Sequence, residues 1–290
     1  MKPAVFDYSA PESIGEALDL LAEHGSGAKV LAGGQSLVPM LNFRLARPAH
    51  LIDVNGVGSL SYISANGSLR IGAMTRLTAV GESGAVAGAH PVIPAAVAEI
   101  GHRAIRNRGT IGGSVAHNDP AAELPAVLMA LDAEVTARST DGERVIGMQD
   151  LIEDRLFDTT LGDTELLTEI RIPAAAAGST FGFREFARRH GDFALAGVAA
   201  VITTDGSTIT HAALGAFGGT HATRLPTAEA ALVGAETGDA AFAAAGAGAA
   251  ADFPATSDVH GTAEYRSHLI NVLTVRALND ASGQAGGGNG

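Results

Sequence analysis

Two stretches of the chain place adjacent glycines beside hydroxyl and amide side chains, a composition suited to holding an anion. The first is Val30-Leu31-Ala32-Gly33-Gly34-Gln35-Ser36-Leu37, in which a short apolar run ends in two glycines followed by polar donors. Glycine allows backbone angles and close approach that a Cβ would prevent. Successive N–H groups in such a turn form a cradle for phosphate oxygens. The second stretch, Arg106-Asn107-Arg108-Gly109-Thr110-Ile111-Gly112-Gly113-Ser114, repeats the glycine pair between two hydroxyl residues, roughly eighty residues later and after a basic segment. Either stretch alone reads equally well as a tight turn with no ligand. Together they point to a diphosphate clamped between two subdomains. Neither matches the GxGxxG dinucleotide fingerprint, and no acidic residue follows at the spacing that fingerprint requires.

Other chemistry is harder to place. The chain has no cysteine, which removes thiolate nucleophiles, disulfides and cysteine ligands for zinc or an iron–sulfur cluster. Redox work would therefore need a bound organic cofactor. His117 and Asp119, in AHNDP, have the types for an acid and its orienter, but a histidine in a polar turn is more often structural. No side chain is assigned a catalytic role. None of the ten histidines forms an HxH or HExxH pair, so no metal site is expected. A net charge of -12, with aromatic residues at 4% and no tryptophan, argues against nucleic acid or an anionic membrane as partner. A local basic patch at His102, Arg103, Arg106 and Arg108 is the exception. No apolar run approaches the roughly 18 residues of a membrane span, and the first residues lack a signal-peptide pattern. The expectation is a soluble, cytoplasmic chain.

The elements that must position these stretches are legible in part. Ile14, Ala17, Leu18 and Leu21 recur at helical spacing before Gly25. KVLA and HLIDV read as strands on either side of the first glycine pair. Asn66-Gly67 between Tyr62-Ile63 and Leu69–Ile71 predicts a hairpin. A helix over about Val92–Ile100 leads into a loop that ends at Thr110. Another helix is expected over Ala122–Leu131, followed by strands EVTA, VIGM and ELLTEIRIP. Beyond a linker at Ala174–Ser179, FGFREFARR, ALAGVAAVITT and STITHAALGAFGG read as strands, and helices cover Ala228–Val233, Ala240–Ala251 and Ala263–Leu278. Segregated strands and helices of this kind predict an α+β chain.

Several segments also carry a family resemblance. VLAGGQSLVPMLNFRLARP, IRNRGTIGGSVAHNDPAAELPAVLMALDAEV, LLTEIRIP, FREFARRHGDFALAGVAA and EYRSHLINVLTVRAL stand in order along nearly the whole chain. In these the chain resembles the FAD-binding medium subunit of the molybdenum hydroxylases, the family of carbon monoxide dehydrogenase and xanthine dehydrogenase. The resemblance implies a two-subdomain FAD-binding module of the vanillyl-alcohol oxidase (PCMH) type followed by a C-terminal α+β domain. The expected divisions are 1–55, 56–174 and 179–282, with a disordered tail at 283–290.

It also implies site roles. Val30, Leu31, Ala32, Gly33, Gly34, Gln35, Ser36 and Leu37 would cradle the FAD diphosphate, as would Thr110, Ile111, Gly112, Gly113 and Ser114. Glu123 would contact ribityl or ribose hydroxyls, Leu167 would pack on the flavin or adenine, and Ile100 would lie near the isoalloxazine. Arg184 would stand where relatives often place a lysine near the pyrimidine end. The resemblance further implies partners: a small subunit with two [2Fe–2S] clusters and a large subunit with the molybdenum cofactor, assembled as a dimer of heterotrimers. The chain would take electrons from the clusters and pass them from FAD to an external acceptor. The alternative is a stand-alone FAD-dependent oxidase of the same fold.

Overall fold

The computed structural model describes residues 2–286. The chain begins with a parallel three-stranded sheet, ordered β1-β3-β2, of β1 (Asp7–Ser9), β2 (Ala28–Leu31) and β3 (His50–Asp53). Helix α1 (Ile14–His24) starts where the Ser13 hydroxyl accepts from the Glu16 N–H at 3.2 Å, and stops at Gly25 with φ +48°. Its buried face, Ala17 and Leu21, packs against Ile52, Val54, Leu60 and Leu166. Helix α2 (Leu37–Asn42) follows the first glycine pair directly.

A five-stranded antiparallel sheet comes next, ordered β4-β5-β8-β6-β7. Strands β4 (Ile63–Asn66) and β5 (Ser68–Gly72) meet at Gly67, whose φ of +81° is what the Asn-Gly turn demands. The others are β6 (Glu134–Ser139), β7 (Gly142–Gly147) and β8 (Leu166–Ile172). Between β5 and β6 run α3 (Leu77–Glu82), α4 (Gly84–Ala89), α5 (Val92–Glu99), α6 (Arg103–Arg106), α7 (Ile111–His117) and α8 (Glu123–Ala130), and α9 (Met148–Ile152) follows β7. Two of these correct the sequence reading. Arg103–Arg106 is a helical turn, not loop. The second glycine pair lies inside α7, in its first turn, although glycine is a poor helix former.

The last unit is an antiparallel sheet ordered β12-β11-β10-β9, made of β9 (Ser179–Phe186), β10 (Ala196–Asp205), β11 (Thr208–Phe217) and β12 (Thr223–Arg224). Helices α10 (Pro226–Leu232), α11 (Asp239–Asp252) and α12 (Ala263–Gly286) cover one face. Its central strand is buried on both sides. Val198, Ala200 and Ile202 pack toward those helices, while Ala199 and Val201 join the core of the preceding unit. That explains the unbroken apolar run AGVAAVI, where a half-exposed strand would alternate. The tail expected to lack structure from 283 is helical through Gly286, and residues 287–290 lie outside the described residues. Among the described residues no helix is long and apolar enough to cross a membrane.

Candidate functional site

The first glycine segment joins the end of β2 to α2, so the backbone of Ala32, Gly33, Gly34, Gln35 and Ser36 is committed neither to the sheet nor to the helix. The N–H groups of Gly33, Gly34, Gln35 and Ser36 have no hydrogen-bond partner among the described residues. Gly34 holds φ at +73°, which a side chain would strain. Gln35, expected as a further donor, folds its amide back onto the Gly33 carbonyl at 3.2 Å and so stiffens the turn. Gln35 and Ser36 are exposed, Gly33 is buried, and Val30, Leu31, Ala32 and Leu37 are half-buried around them. A row of unpaired N–H groups at the mouth of a rigid turn fits a diphosphate. Each hydrogen bond to a charged oxygen contributes about 1.5–3 kcal/mol.

The second glycine segment is built differently. Leu77 N–H donates to the Gly109 carbonyl at 3.0 Å, and Ile111 N–H to the Thr75 carbonyl at 3.1 Å. Gly112 N–H is taken by the Ala73 carbonyl at 2.9 Å, and Ser114 N–H by the Thr110 carbonyl at 3.1 Å. Gly113 N–H donates to Thr110 Oγ1 at 3.1 Å, so Thr110 caps α7. The backbone donors expected to meet phosphate here are engaged internally. What the segment leaves for a ligand is hydroxyl chemistry: Ser114 is half-buried, whereas Thr110 is only 2% exposed and its Oγ1 already accepts from the Gly113 N–H, which leaves only its O–H to donate. Gly112 is required by space: a Cβ there would lie 2.5 Å from Ala73 Cβ and 2.7 Å from its carbonyl oxygen.

The structure brings the two segments into contact. A Cβ on Gly33 would fall 2.5 Å from the Arg108 carbonyl oxygen and 2.7 Å from Gly109 Cα. A polar tie runs alongside. Asn55, just beyond β3, donates from Nδ2 to the Ala32 carbonyl at 2.8 Å, and its Oδ1 accepts from Arg76 Nη2 at 2.7 Å. Arg76 Nη1 donates to the Arg108 carbonyl at 2.6 Å. Asp53 orients Asn55, accepting its backbone N–H at 2.9 Å, and accepts the Tyr8 hydroxyl at 2.7 Å. Burial works to raise the Asp53 pKa, but the Asn55 and Tyr8 hydrogen bonds and the Arg108 cation hold it below the usual range. Arg76 and Asn55 were not singled out in the sequence, because nothing local marks a pairing across 21 residues. Arg106, from the same basic patch, donates to the carbonyls of Ala98, Ile100 and Gly101, closing the C-terminal end of α5.

A second constellation is acidic. Glu123, at the start of α8, is 7% exposed. Burial pushes its pKa up to about 8, helped by the negative charges of Glu185, Asp119 and Glu99. Glu185 is pushed to about 7, by burial and then by Glu99, and its Oε2 is buried without a hydrogen-bond partner among the described residues. Ile100 follows Glu99 at the end of α5 and is half-buried. Leu167 is core, 5% exposed in β8. Arg184 is turned away from this group. It makes a two-pronged ion pair with Asp280 on α12, at 2.6 and 2.8 Å. Strand alternation accounts for this: Gly182, two residues earlier on the same face, packs directly on the Ala277 carbonyl of α12. The residue of β9 that meets the acids is Glu185, which the sequence reading passed over. Among the described residues no cluster of three or more His, Cys, Asp or Glu side chains is placed to hold a metal ion.

Residues 4–175 match the model of an FAD-binding domain in molybdopterin dehydrogenase, and residues 181–281 match the CO dehydrogenase flavoprotein C-terminal domain. The fold is thus a two-subdomain FAD-binding module joined to a flavoprotein C-terminal domain. The chain belongs to the family of FAD-binding medium subunits of molybdenum hydroxylases. It is 43% identical to the 6-hydroxypseudooxynicotine dehydrogenase complex subunit alpha of Paenarthrobacter nicotinovorans, across 97% of this chain and 96% of that one. It is 38% identical to the carbon monoxide dehydrogenase medium chain of Hydrogenophaga pseudoflava, across 97% of this chain and 98% of the relative. Among solved structures, a carbon monoxide dehydrogenase from H. pseudoflava that lacks the Mo-pyranopterin moiety of its cofactor superposes with a TM-score of 0.95 at 37% identity, covering 98% of this chain and 99% of that chain. Quinoline 2-oxidoreductase from Pseudomonas putida 86 gives 0.93 at 34% identity, with 98% and 99% covered.

Proposed function

We propose that this chain holds one FAD and works as the electron-transfer subunit of a cytoplasmic heterotrimeric molybdenum hydroxylase. The observation that carries the cofactor assignment is the row of unpaired N–H groups from Gly33 to Ser36, set against Gly109 at the junction of two subdomains. In this reading those N–H groups receive the diphosphate, and the hydroxyls of Thr110 and Ser114 complete its shell. Val30, Leu31, Ala32 and Leu37 wall the turn, Ile111, Gly112 and Gly113 form the opposite side, and Ile100, Glu123 and Leu167 line the path of the rest of the cofactor. Arg184 is left out of this contact set and Glu185 takes its place.

Bound FAD supplies the ability to accept electrons one at a time and release them in pairs. The chain's own residues bind and orient it, and no side chain is needed as nucleophile or general base. Partner subunits supply what a cysteine-free chain cannot: a small subunit with two [2Fe–2S] clusters and a large one with the molybdenum cofactor, arranged as a dimer of heterotrimers. The near-complete coverage of relatives that are medium chains and complex subunits supports this division of labour.

The test is spectroscopic. The chain is purified alone and together with a small iron–sulfur subunit and a large molybdenum subunit of the same family, and spectra are taken before and after dithionite. The reading expects an FAD band near ~450 nm, with cluster absorption only in the complex. Bleaching of that band by an organic substrate in the isolated chain would instead establish a stand-alone oxidase. A chain that stays colourless with partners and added FAD would refute both.

A further inference from the structure

We propose that Arg76 and Asn55 are positioning residues for the cofactor: together they fix the separation of the two glycine segments, and FAD affinity depends on them although neither need touch FAD. The inference rests on the assignment of the diphosphate to the first glycine segment.

The first segment leaves the first sheet and the second leads into α7, among the helices between β5 and β6 of the second sheet, so their spacing is set by whatever bridges the junction. Asn55 is anchored at its backbone N–H and its side-chain amide by Asp53, and reaches the Ala32 carbonyl at 2.8 Å. Its remaining acceptor, Oδ1, takes Arg76 Nη2 at 2.7 Å. The other prong of the same guanidinium takes the Arg108 carbonyl at 2.6 Å. That carbonyl is the one against which Gly33 is packed, where a Cβ would stand 2.5 Å away. The tie therefore acts at the point where the segments touch. It pulls Ala32 and Arg108 toward each other, while the backbone contact at Gly33 stops them from closing further.

Arg76 is retained here against an electrostatic cost. Burial and the nearby Arg108 charge lower its pKa, and Asp53 offsets part of that. A planar fork with two donors can join acceptors on two different units, whereas a lysine ammonium is a point donor on a flexible stem. A cradle whose N–H groups are already at the right spacing loses less free energy on binding than one that must be assembled by the ligand. Release of the tie would leave the first segment's donors intact but free to drift from Thr110 and Ser114.

The experiment measures FAD retention by the full chain, alone and in the assembled complex, for wild type, Arg76→Ala, Arg76→Lys, Asn55→Ala and the Arg76→Ala/Asn55→Ala double variant. Each alanine variant should weaken FAD binding by about tenfold, in keeping with the loss of charge-assisted hydrogen bonds. The double variant should be little worse than either single, because the two act as one unit. Lysine should recover only part of the loss. Arg144→Ala breaks a two-pronged pair with Glu165 elsewhere in the second sheet. It serves as the stability control and should leave FAD affinity unchanged at a comparable drop in the melting temperature of the FAD-free chain. Affinities within twofold of wild type, losses that multiply in the double variant, or losses that Arg144→Ala matches at equal melting temperature would each overturn the proposal. Should Arg76→Ala not fold, Asn55→Ala and Arg76→Lys decide the same question. Failure of the wild-type chain to retain FAD in either form would strike the cofactor assignment itself, and the positioning role with it.

Discussion

The two glycine pairs look alike in sequence and are used in opposite ways. At Gly33-Gly34 the chain leaves a strand and the N–H groups through Ser36 stay unpaired among the described residues. At Gly112-Gly113 the chain is already in a helix, and the N–H groups are consumed by Ala73 and by the Thr110 side chain. The first pair offers donors; the second allows close packing. A glycine pair is thus no evidence for an anion cradle until the destination of its backbone donors is known. The small residue is needed in both places, for conformation at Gly34 and for space at Gly33 in the first pair, and for space at Gly112 in the second.

This contrast can be broken by substitution. The largest effect is expected from Gly112→Val, which drives a side chain into Ala73 and should cost about 3 kcal/mol of stability, read by urea unfolding of the FAD-free chain. If that variant folded normally and lost only FAD, the second pair would be a donor site after all. Gly33→Ala should chiefly hurt the ligand, weakening FAD binding by about 30-fold as the added methyl pries the seam open. An FAD titration beside a melting curve separates that from general instability.

Protonation probes the side of the second segment. Burial pushes the Glu123 carboxyl up to about 8 in the fold, far above its ordinary value of 4.5. The folded state therefore keeps a proton that the unfolded chain gives up, and the associated stability is present in full below pH 4.5 and is lost as pH climbs toward 8. Stability of the FAD-free wild type should fall over that window, and Glu123→Gln should flatten the fall by on the order of 1–2 kcal/mol. An unchanged pH slope in that variant would mean the carboxyl is not protonated in the fold. The smallest effect is expected from Thr110→Ala, which removes the cap on α7 and should cost about 1 kcal/mol in denaturant, with little more loss of FAD than one hydroxyl explains.

What could be read from the sequence was local and periodic. The Asn66-Gly67 hairpin, α1 with its apolar spacing from Ile14 to Leu21 and its stop at Gly25, and the apolar strand AGVAAVI all announced themselves through spacing and turn chemistry. Helix α7 did not, because two glycines argue for a turn and the contact that requires them, Ala73, is remote in sequence. Arg184 was placed by the family resemblance alone, and the parity of β9, set by Gly182 lying on α12, turns it to Asp280 and leaves Glu185 on the other face. The roles of Asn55 and Arg76 were invisible for a related reason: each is ordinary alone, and only the fold makes them partners.

The contact between Gly33 and the Arg108–Gly109 peptide is main chain against main chain. Its geometry is therefore indifferent to the side chain at 108, which points out into solvent. The size of the side chain at 108 can therefore change without moving the joint, whereas its charge cannot change unnoticed, because Asp53 and Arg76 both feel the Arg108 cation. Substitution should accordingly be tolerated in size but not in charge at 108, and not at all at 33, two positions that touch each other.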